Sequence, residues 1–442
     1  MRRLQLFLLF FVQMFAAQAQ WSVEHLSQGR VLSSAVGYRN KVYVGGGQLN
    51  VTAGIMSNRV DIYDNANDTW SIDSLSSKRG YVTIIGAGGK VYFAGGTYNN
   101  VINVKEIDIY DAATGNWSVD SLRTTQAYSV PAVVGRKIMF AGGWSNTANG
   151  VTNVVSIYDT LTHSWSQASL SQARAEQAAA VSGSIAMFAG GYTNSTSYPT
   201  SKVVDIYDAT DSSWTTAQLS QARGSLCAVS AGGKIFFAGG LAVVSTGKQS
   251  NVVDIYDVAG KSWSTATLSQ ARRYVTAAVV GDKVLFAGGE ISFFSNTPTK
   301  RVDVYDLVKN TWSIDSMSVP HDAFASAELP GKAFFIGGGS YSTNKLMSEV
   351  EIYTDNSVGI KEVSAKCILG VYPNPSGSSI RLSGIAQYPG VVDISIISFS
   401  GEEVLRFNSA RENLNISQLS SGMYFIRLTF QDHTETAKFI KE

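Results

Sequence analysis

Residues 93–122 read FAGGTYNNVINVKEIDIYDAATGNWSVDSL: an apolar run ending in two glycines, a polar loop, an Ile-Tyr-Asp triplet, and a tryptophan six positions beyond the aspartate. The same grammar recurs along the chain. Double glycines begin at Gly45, Gly95, Gly142, Gly190, Gly239, Gly288 and Gly337, at intervals of 47 to 50 residues. A tyrosine follows each of them, at Tyr63, Tyr110, Tyr158, Tyr207, Tyr256, Tyr305 and Tyr353. In the first six copies Asp64, Asp111, Asp159, Asp208, Asp257 and Asp306 lead, six residues on, to Trp70, Trp117, Trp165, Trp214, Trp263 and Trp312. A fixed period of this length marks one supersecondary unit copied along the chain.

Each unit reads as strands and turns. KVYFAGG, KIMFAGG, KIFFAGG and KVLFAGG are apolar at successive positions, as a strand covered on both faces requires. The paired glycines mark a close approach or a positive φ. The aspartate can open a turn through an Asx hydrogen bond, and the tryptophan then begins an outer strand with its ring between units.

Together these features resemble the kelch repeat, each copy of which builds one four-stranded blade of a β-propeller. The expected fold is all-β, with a seven-bladed kelch-type β-propeller over residues 20–355. The seventh copy has no tryptophan after Tyr353, whereas WSVEHLS from Trp21 repeats WSIDSLS from Trp70. The N-terminal strand is therefore expected to complete the last blade and cover an otherwise open sheet edge.

Both flanks carry signals of their own. Residues 1–19 combine Arg2 and Arg3, an apolar core from Leu4 to Ala17, and Ala17-Gln18-Ala19, the pattern of a secretory signal peptide. The run is shorter than the roughly 20 residues of a membrane anchor, so no transmembrane segment is expected in the mature chain. After a linker at 356–366, residues 367–442 read as the short alternating strands of a small β-sandwich. This piece resembles the type A C-terminal sorting domain of type IX secretion cargo in Bacteroidetes. The likeness is carried by Tyr372-Pro373-Asn374-Pro375, by Ser421-Gly422-Met423-Tyr424-Phe425, and by Lys438-Phe439-Ile440-Lys441. It implies two-stage export by the type IX secretion machinery, leaving the protein secreted or on the outer cell surface. Asp73-Ser74-Leu75, Asp120-Ser121-Leu122, Asp159-Thr160-Leu161 and Asp315-Ser316-Met317 also resemble the short O-glycosylation signal of that bacterial group.

Composition removes several classes of function. The 35 basic and 34 acidic residues nearly cancel and form no run, so nucleic acid is not an expected partner. The two cysteines, Cys227 and Cys367, make no disulfide framework, and Cys227 reads as a buried small hydrophobe.

Recognition is expected on one face. The loops after each Gly-Gly are about a dozen residues long and differ from copy to copy, the usual character of a binding surface on a rigid scaffold. Arg30, Arg79, Gln126, Arg174, Arg223, Arg272 and His321 share one register before the innermost strand. They either bond backbone carbonyls inside the fold or form a partial guanidinium ring for a carboxylate, sulfate or acidic side chain. Two positions onward, Tyr81, Tyr128, Glu176 and Tyr274 are candidates to face the central channel. Trp144 is the one tryptophan that the repeat does not require, and Tyr98, Tyr192 and Tyr341 lie at or near its place in other copies. Aromatic rings beside Asn, Ser and Thr suit a sugar, although packing within the loops explains them equally.

The partner expected on these grounds is a glycan or an extracellular protein. Some kelch propellers are copper oxidases, which use paired His and Tyr ligands, but the propeller here holds only His25, His163 and His321. No metal or other cofactor is expected. Glu176 and Glu290 are the one obvious pair of carboxylates for glycan hydrolysis. A carbohydrate-active enzyme, for which sialic-acid-processing kelch propellers are the precedent, and a structural surface-layer component are the alternative readings.

Overall fold

The computed structural model describes residues 20–50, 54–322, 324–340, 345–355, 370–383, 393–398, 403–407, 413–429 and 434–442. The proposed signal peptide, the linker, Cys367 and Tyr341 lie outside the described residues.

Seven four-stranded antiparallel sheets make up the first unit. Blade 1 runs through Ser34–Tyr38, Lys41–Gly45, Arg59–Asp64 and Thr69–Ser74, from the channel outwards, and blades 2 to 6 repeat this order. The second strand of each blade is buried along its length, as at Val91, Tyr92, Phe93 and Ala94, because neighbouring blades cover both of its faces. Blade 7 takes three strands from Ala325–Leu329, Lys332–Ile336 and Glu349–Thr354, and its outer strand is Gln20–His25. Trp21 lies opposite Tyr353, as Trp70 lies opposite Tyr63 in blade 1.

The glycine pairs fasten blade to blade. The second glycine of each pair donates its N–H to the carbonyl of the next blade's arginine-register residue: Gly47 to Arg79, Gly96 to Gln126, Gly143 to Arg174, Gly191 to Arg223, Gly240 to Arg272, Gly289 to His321. Gly338 donates to Arg30 in the same way, at 2.9 Å, which closes the ring. Both glycines of a pair have positive φ, 62° and 102° at Gly95 and Gly96, and a Cβ at Gly95 would sit 1.9 Å from the Gln126 carbonyl oxygen. In blade 1 the pair so used is Gly46-Gly47; Gly45, expected to begin it, is the last residue of the second strand and holds the place of Ala94.

The outer strands are stitched as well. Trp117 donates its indole N–H to Asp73 and Trp165 to Asp120, both at 2.8 Å, and across the closure Trp21 donates to Asp315 at 3.0 Å. These tryptophan rings are half-buried, packed on the facing tyrosine at 5.0–5.1 Å. Three of the four aspartates read as glycosylation signals are thus engaged in holding adjacent blades together. The fourth, Asp159, accepts Asx bonds from Leu161 and Thr162.

The second unit is a small sandwich. A sheet of Glu403–Phe407, Asp393–Ser398, Gly422–Thr429 and Thr434–Lys441 accompanies one of Gly370–Tyr372, Ser379–Ser383 and Asn413–Asn415. Ile380, Leu382, Ile394, Ile396, Leu414, Ile426, Leu428 and Phe439 form its core. The residues that carry the sorting-domain likeness meet here. Asn374 accepts the Ile440 N–H at 2.9 Å, Ser376 pairs with the last strand, and Tyr424 stacks on Phe439 at 5.7 Å. Gly422 lies opposite Lys441, Lys438 offers its carbonyl to Asn374, and Tyr372 lies under Arg381. Pro373 and Pro375 follow cis peptide bonds.

Candidate functional site: the mouth of the propeller channel

The arginine register turns into the blades. Arg30, Arg79, Arg174, Arg223 and Arg272 are 0% exposed. Each guanidinium is paired with a buried aspartate of its own blade, respectively Asp61, Asp108, Asp205, Asp254 and Asp303. Further Nη groups go to backbone carbonyls, as Arg79 bonds Gly95 and Glu106 at 2.8 and 2.9 Å, while the Nε of each arginine is buried without a hydrogen-bond partner. Burial lowers the pKa of these arginines, and the partner aspartate offsets only part of that. The expectation of a guanidinium ring facing an acidic ligand is therefore corrected. A guanidinium that is fully buried and bonded to a carboxylate and carbonyls inside its blade is not presented to solvent.

The two exceptions obey the same rule. In blade 3, Gln126 donates to the carbonyls of Gly142 and Val154 and accepts from Ser156, which stands where the aspartate would be. In blade 7, His321 bonds the Gly337 carbonyl at 2.7 Å, with Glu351 3.8 Å from its other nitrogen. In both blades the arginine and the aspartate are replaced together, because a buried guanidinium or carboxylate left without its partner is costly.

Beyond this shared frame the repeats diverge in one sector. The residue after each glycine pair makes the same β-bridge in every blade, and these positions hold Gln48, Thr97, Trp144, Tyr192, Leu241, Glu290 and Gly339. Two residues beyond the arginine register, Leu32, Tyr81, Tyr128, Glu176, Ser225 and Tyr274 all have φ between 49° and 55°. That left-handed backbone is unusual for non-glycine residues. It is supported by bonds passing round the channel, Tyr81 to Leu32, Tyr128 to Tyr81, Ser225 to Glu176 and Tyr274 to Ser225, at 3.0–3.2 Å between N–H and carbonyl.

Half of this ring is apolar: Tyr81 and Tyr128 pack together at 5.2 Å against Leu32. The other half is polar and crowded with ionisable groups. Glu176 accepts the Ser225 hydroxyl at 2.6 Å, Ser225 also meets the Tyr192 hydroxyl at 3.0 Å, and the side chains of Trp144 and Tyr274 approach Glu176 and favour its charged form. Tyr192 is buried over Gly224 of the next blade, where a Cβ would strike its ring at 2.5 Å. Tyr198, exposed on the blade 4 loop, stands edge-on to both Trp144 and Tyr192 at 5.7 Å. Trp144 itself is half-buried.

Arg273 completes the cluster. Its guanidinium lies 4.7 Å from the Tyr274 ring and 4.5 Å from that of Phe293, with Nε 2.6 Å from Glu290. Burial raises the pKa of Glu176, only partly countered by the bond from Ser225 and the charge of Arg273. Burial likewise holds Tyr274 well above the phenol range. Behind Arg273, Asp322 is fully buried and pushed up to about 8, by burial first and then by Glu290.

Glu176, Ser225, Cys227, Tyr274 and Thr276 line a cavity of about 190 Å³, bordered by Tyr128 and Phe324. The same two rings border a second cavity of about 250 Å³ lined by Ser33, Thr83, Ser129 and Ser326. Cys227 contributes an inert thiol, its pKa pushed up to about 12 by burial.

The structure thus brings together Trp144, Tyr192, Glu176 and Tyr274, and it separates others from them. Tyr98 is exposed on the blade 2 loop and bonded to Glu106 at 2.6 Å. Glu290 is buried beside Arg273, so it does not present an open second carboxylate opposite Glu176. Arg273, Tyr198, Ser225 and Asp322 were not evident from sequence. The available signal was position: Arg273 and Asp322 each follow an arginine-register residue, where other blades carry Val31, Gly80, Ala127, Ala175 and Gly224.

Comparison with known proteins matches two stretches of the chain. Residues 126–339 match the KLHDC2/KLHL20/DRC7 Kelch-repeats domain. Residues 370–442 match the secretion system C-terminal sorting domain. Among solved structures, one titled "Structure of YjhT" is similar at 17% identity and a TM-score of 0.52, covering 66% of this chain and 99% of that one. No curated protein matches in sequence. The chain thus carries a kelch-repeat domain within a fold of seven four-stranded blades. The C-terminal match is to a sorting domain, which indicates export by type IX secretion to the cell surface or beyond.

Proposed function

We propose that the propeller binds a glycan at the channel mouth, between blades 3 and 6. The observation that carries this is the confinement of Trp144, Tyr192, Glu176, Ser225, Arg273 and Tyr274 to one sector of a frame that is otherwise repeated. A blade folds without any of them, since Leu32, Thr97 and Leu241 occupy equivalent places elsewhere. Aromatic rings stack on the CH faces of a sugar, while Glu176 and Arg273 accept from and donate to its hydroxyls. Screening the full chain on a glycan array, followed by titration calorimetry with Glu176→Gln, tests this reading. The variant is expected to lose about 2 kcal/mol of binding at unchanged fold. Equal affinity of variant and wild type would refute the site.

A second reading, that of a carbohydrate-active enzyme, draws support from the raised pKa of Glu176. A carboxyl whose pKa burial raises, set in a cavity wall, is suited to holding and passing on a proton. Turnover of an array-selected glycan, abolished in Glu176→Gln, would favour it over simple binding.

A further inference from the structure

The loop face carries a feature that neither the repeat nor the channel mouth requires. Its loops brace one another from blade to blade. Asn146 exchanges hydrogen bonds with the Asn103 backbone at 3.0 and 3.2 Å, Ser195 donates to the Asn149 carbonyl at 3.1 Å, and Thr200 to that of Ala242 at 3.1 Å. On this braced belt stand two groups of outward apolar side chains. In blades 1 and 2, Ile55 and Val101 are 54% and 75% exposed, on loops so close that a Cβ at Gly54 would meet the Asn99 carbonyl at 3.0 Å. In blades 5 and 6, Val243 is 41% and Phe294 71% exposed, on loops so close that a Cβ at Gly247 would meet the Phe294 ring at 2.8 Å. Exposed apolar groups on fixed loops lower solubility unless something covers them.

The two groups stand on opposite sides of a closed seven-bladed ring, with the channel mouth between them. A small ligand in the mouth does not reach both; a flat partner touches both at once. Charge indicates what kind of flat partner. Lys105 is exposed four residues along the chain from Val101; Lys248, also exposed, lies opposite Val243, and exposed Lys300 follows Phe294 by six residues. Of the nearby carboxylates, Glu290 is buried on Arg273, and Glu106, bonded by the hydroxyls of Ser77 and Tyr98, lies 3.8 Å from the buried Arg79 guanidinium.

We infer that the loop face docks on a lipid bilayer surface bearing anionic headgroups, with Ile55 and Val101 forming one foot and Phe294 and Val243 the other. Apolar tips enter the interfacial layer while lysines meet the headgroups. This inference does not depend on what the channel mouth binds.

The test is flotation of the full chain with vesicles of phosphatidylcholine alone and of phosphatidylcholine with phosphatidylglycerol at about 3:1. Binding is expected to the anionic vesicles and to fall when salt rises from about 0.05 to about 0.5 M. Each lysine near such a surface adds about fivefold in affinity, so Lys105→Glu with Lys248→Glu is expected to lose at least about 25-fold. Val101→Ser and Phe294→Ser should each weaken binding, since both feet share the contact, and neither exposed change should lower the melting temperature. Should the charge-reversal variant misfold, the serine variants still decide the matter. Absence of binding to anionic vesicles, or serine variants that float like the wild type, would overturn the inference, as would retention on cell envelopes that survives lipid extraction.

Discussion

The buried Arg-Asp pair of blade 5 offers a quantitative test of the frame. Arg223 bonds Asp254 at 2.5 Å and the carbonyls of Val252 and Phe237 at 3.0 and 3.2 Å, all within the blade. Asp254→Ser removes the counter-charge from a guanidinium whose pKa burial already lowers, at an expected cost of about 3–5 kcal/mol. Adding Arg223→Gln should recover much of this loss. Blade 3 carries the same neutral pair, with Gln126 bonding Gly142 at 2.7 Å and accepting from Ser156 at 3.0 Å. The double variant is expected within about 2 kcal/mol of wild type, the difference being one or two charged hydrogen bonds. Urea unfolding followed by tryptophan fluorescence reads the propeller alone, since all 8 tryptophans lie between Trp21 and Trp312. An Asp254→Ser cost below about 1 kcal/mol, or a double variant as unstable as the sum of the singles, would refute the reasoning.

Three further outcomes are expected. Starting the chain at Arg30 removes Gln20–His25 and leaves Glu349–Thr354 as a bare edge, so the protein should melt lower and aggregate; unchanged melting would contradict closure by this strand. Asp111 and Asp208 accept backbone N–H bonds in their turns, which hold their carboxyls below the reference value of 3.8. A depressed folded-state pKa gives stability that is complete above the unfolded value and lost as pH falls through the folded one. Melting temperature should accordingly drop below about pH 4, and less steeply in Asp111→Asn with Asp208→Asn than in wild type. Deleting residues 370–442 should leave a folded propeller that is no longer exported by the native host; its normal arrival at the surface would count against the sorting role.

Much of the fold was legible because its constraints are local and repeated. A glycine pair is required wherever a carbonyl of the next blade leaves no room for a side chain, so every blade displays it. The first pair was misplaced by one residue because Gly45 happens to precede Gly46 and Gly47. The arginine register was visible, but its direction was not: a long side chain can reach either solvent or the blade interior from one backbone position. The deciding clue was covariation within the chain, Ser156 accompanying Gln126 and Glu351 accompanying His321, in the place of the aspartate. The channel mouth was only partly legible, since Trp144, Glu176, Ser225 and Arg273 come from blades 3 to 6 and meet only once those blades have stacked. Their neighbourhood is set by hydrogen bonds between residues as far apart as Glu176 and Ser225, a relation that no local pattern records.

The claim that the channel mouth is a glycan site is tested most directly by the affinity of an array-selected glycan for wild type and for Trp144→Ala. Trp144 is half-buried and bounds the mouth beside Tyr198 and Glu176. The account predicts a loss of about 2 kcal/mol, roughly 30-fold in affinity, with little change in melting temperature. Affinity equal to wild type, or destabilisation comparable to that of Trp165→Ala with no separate loss of binding, would contradict it.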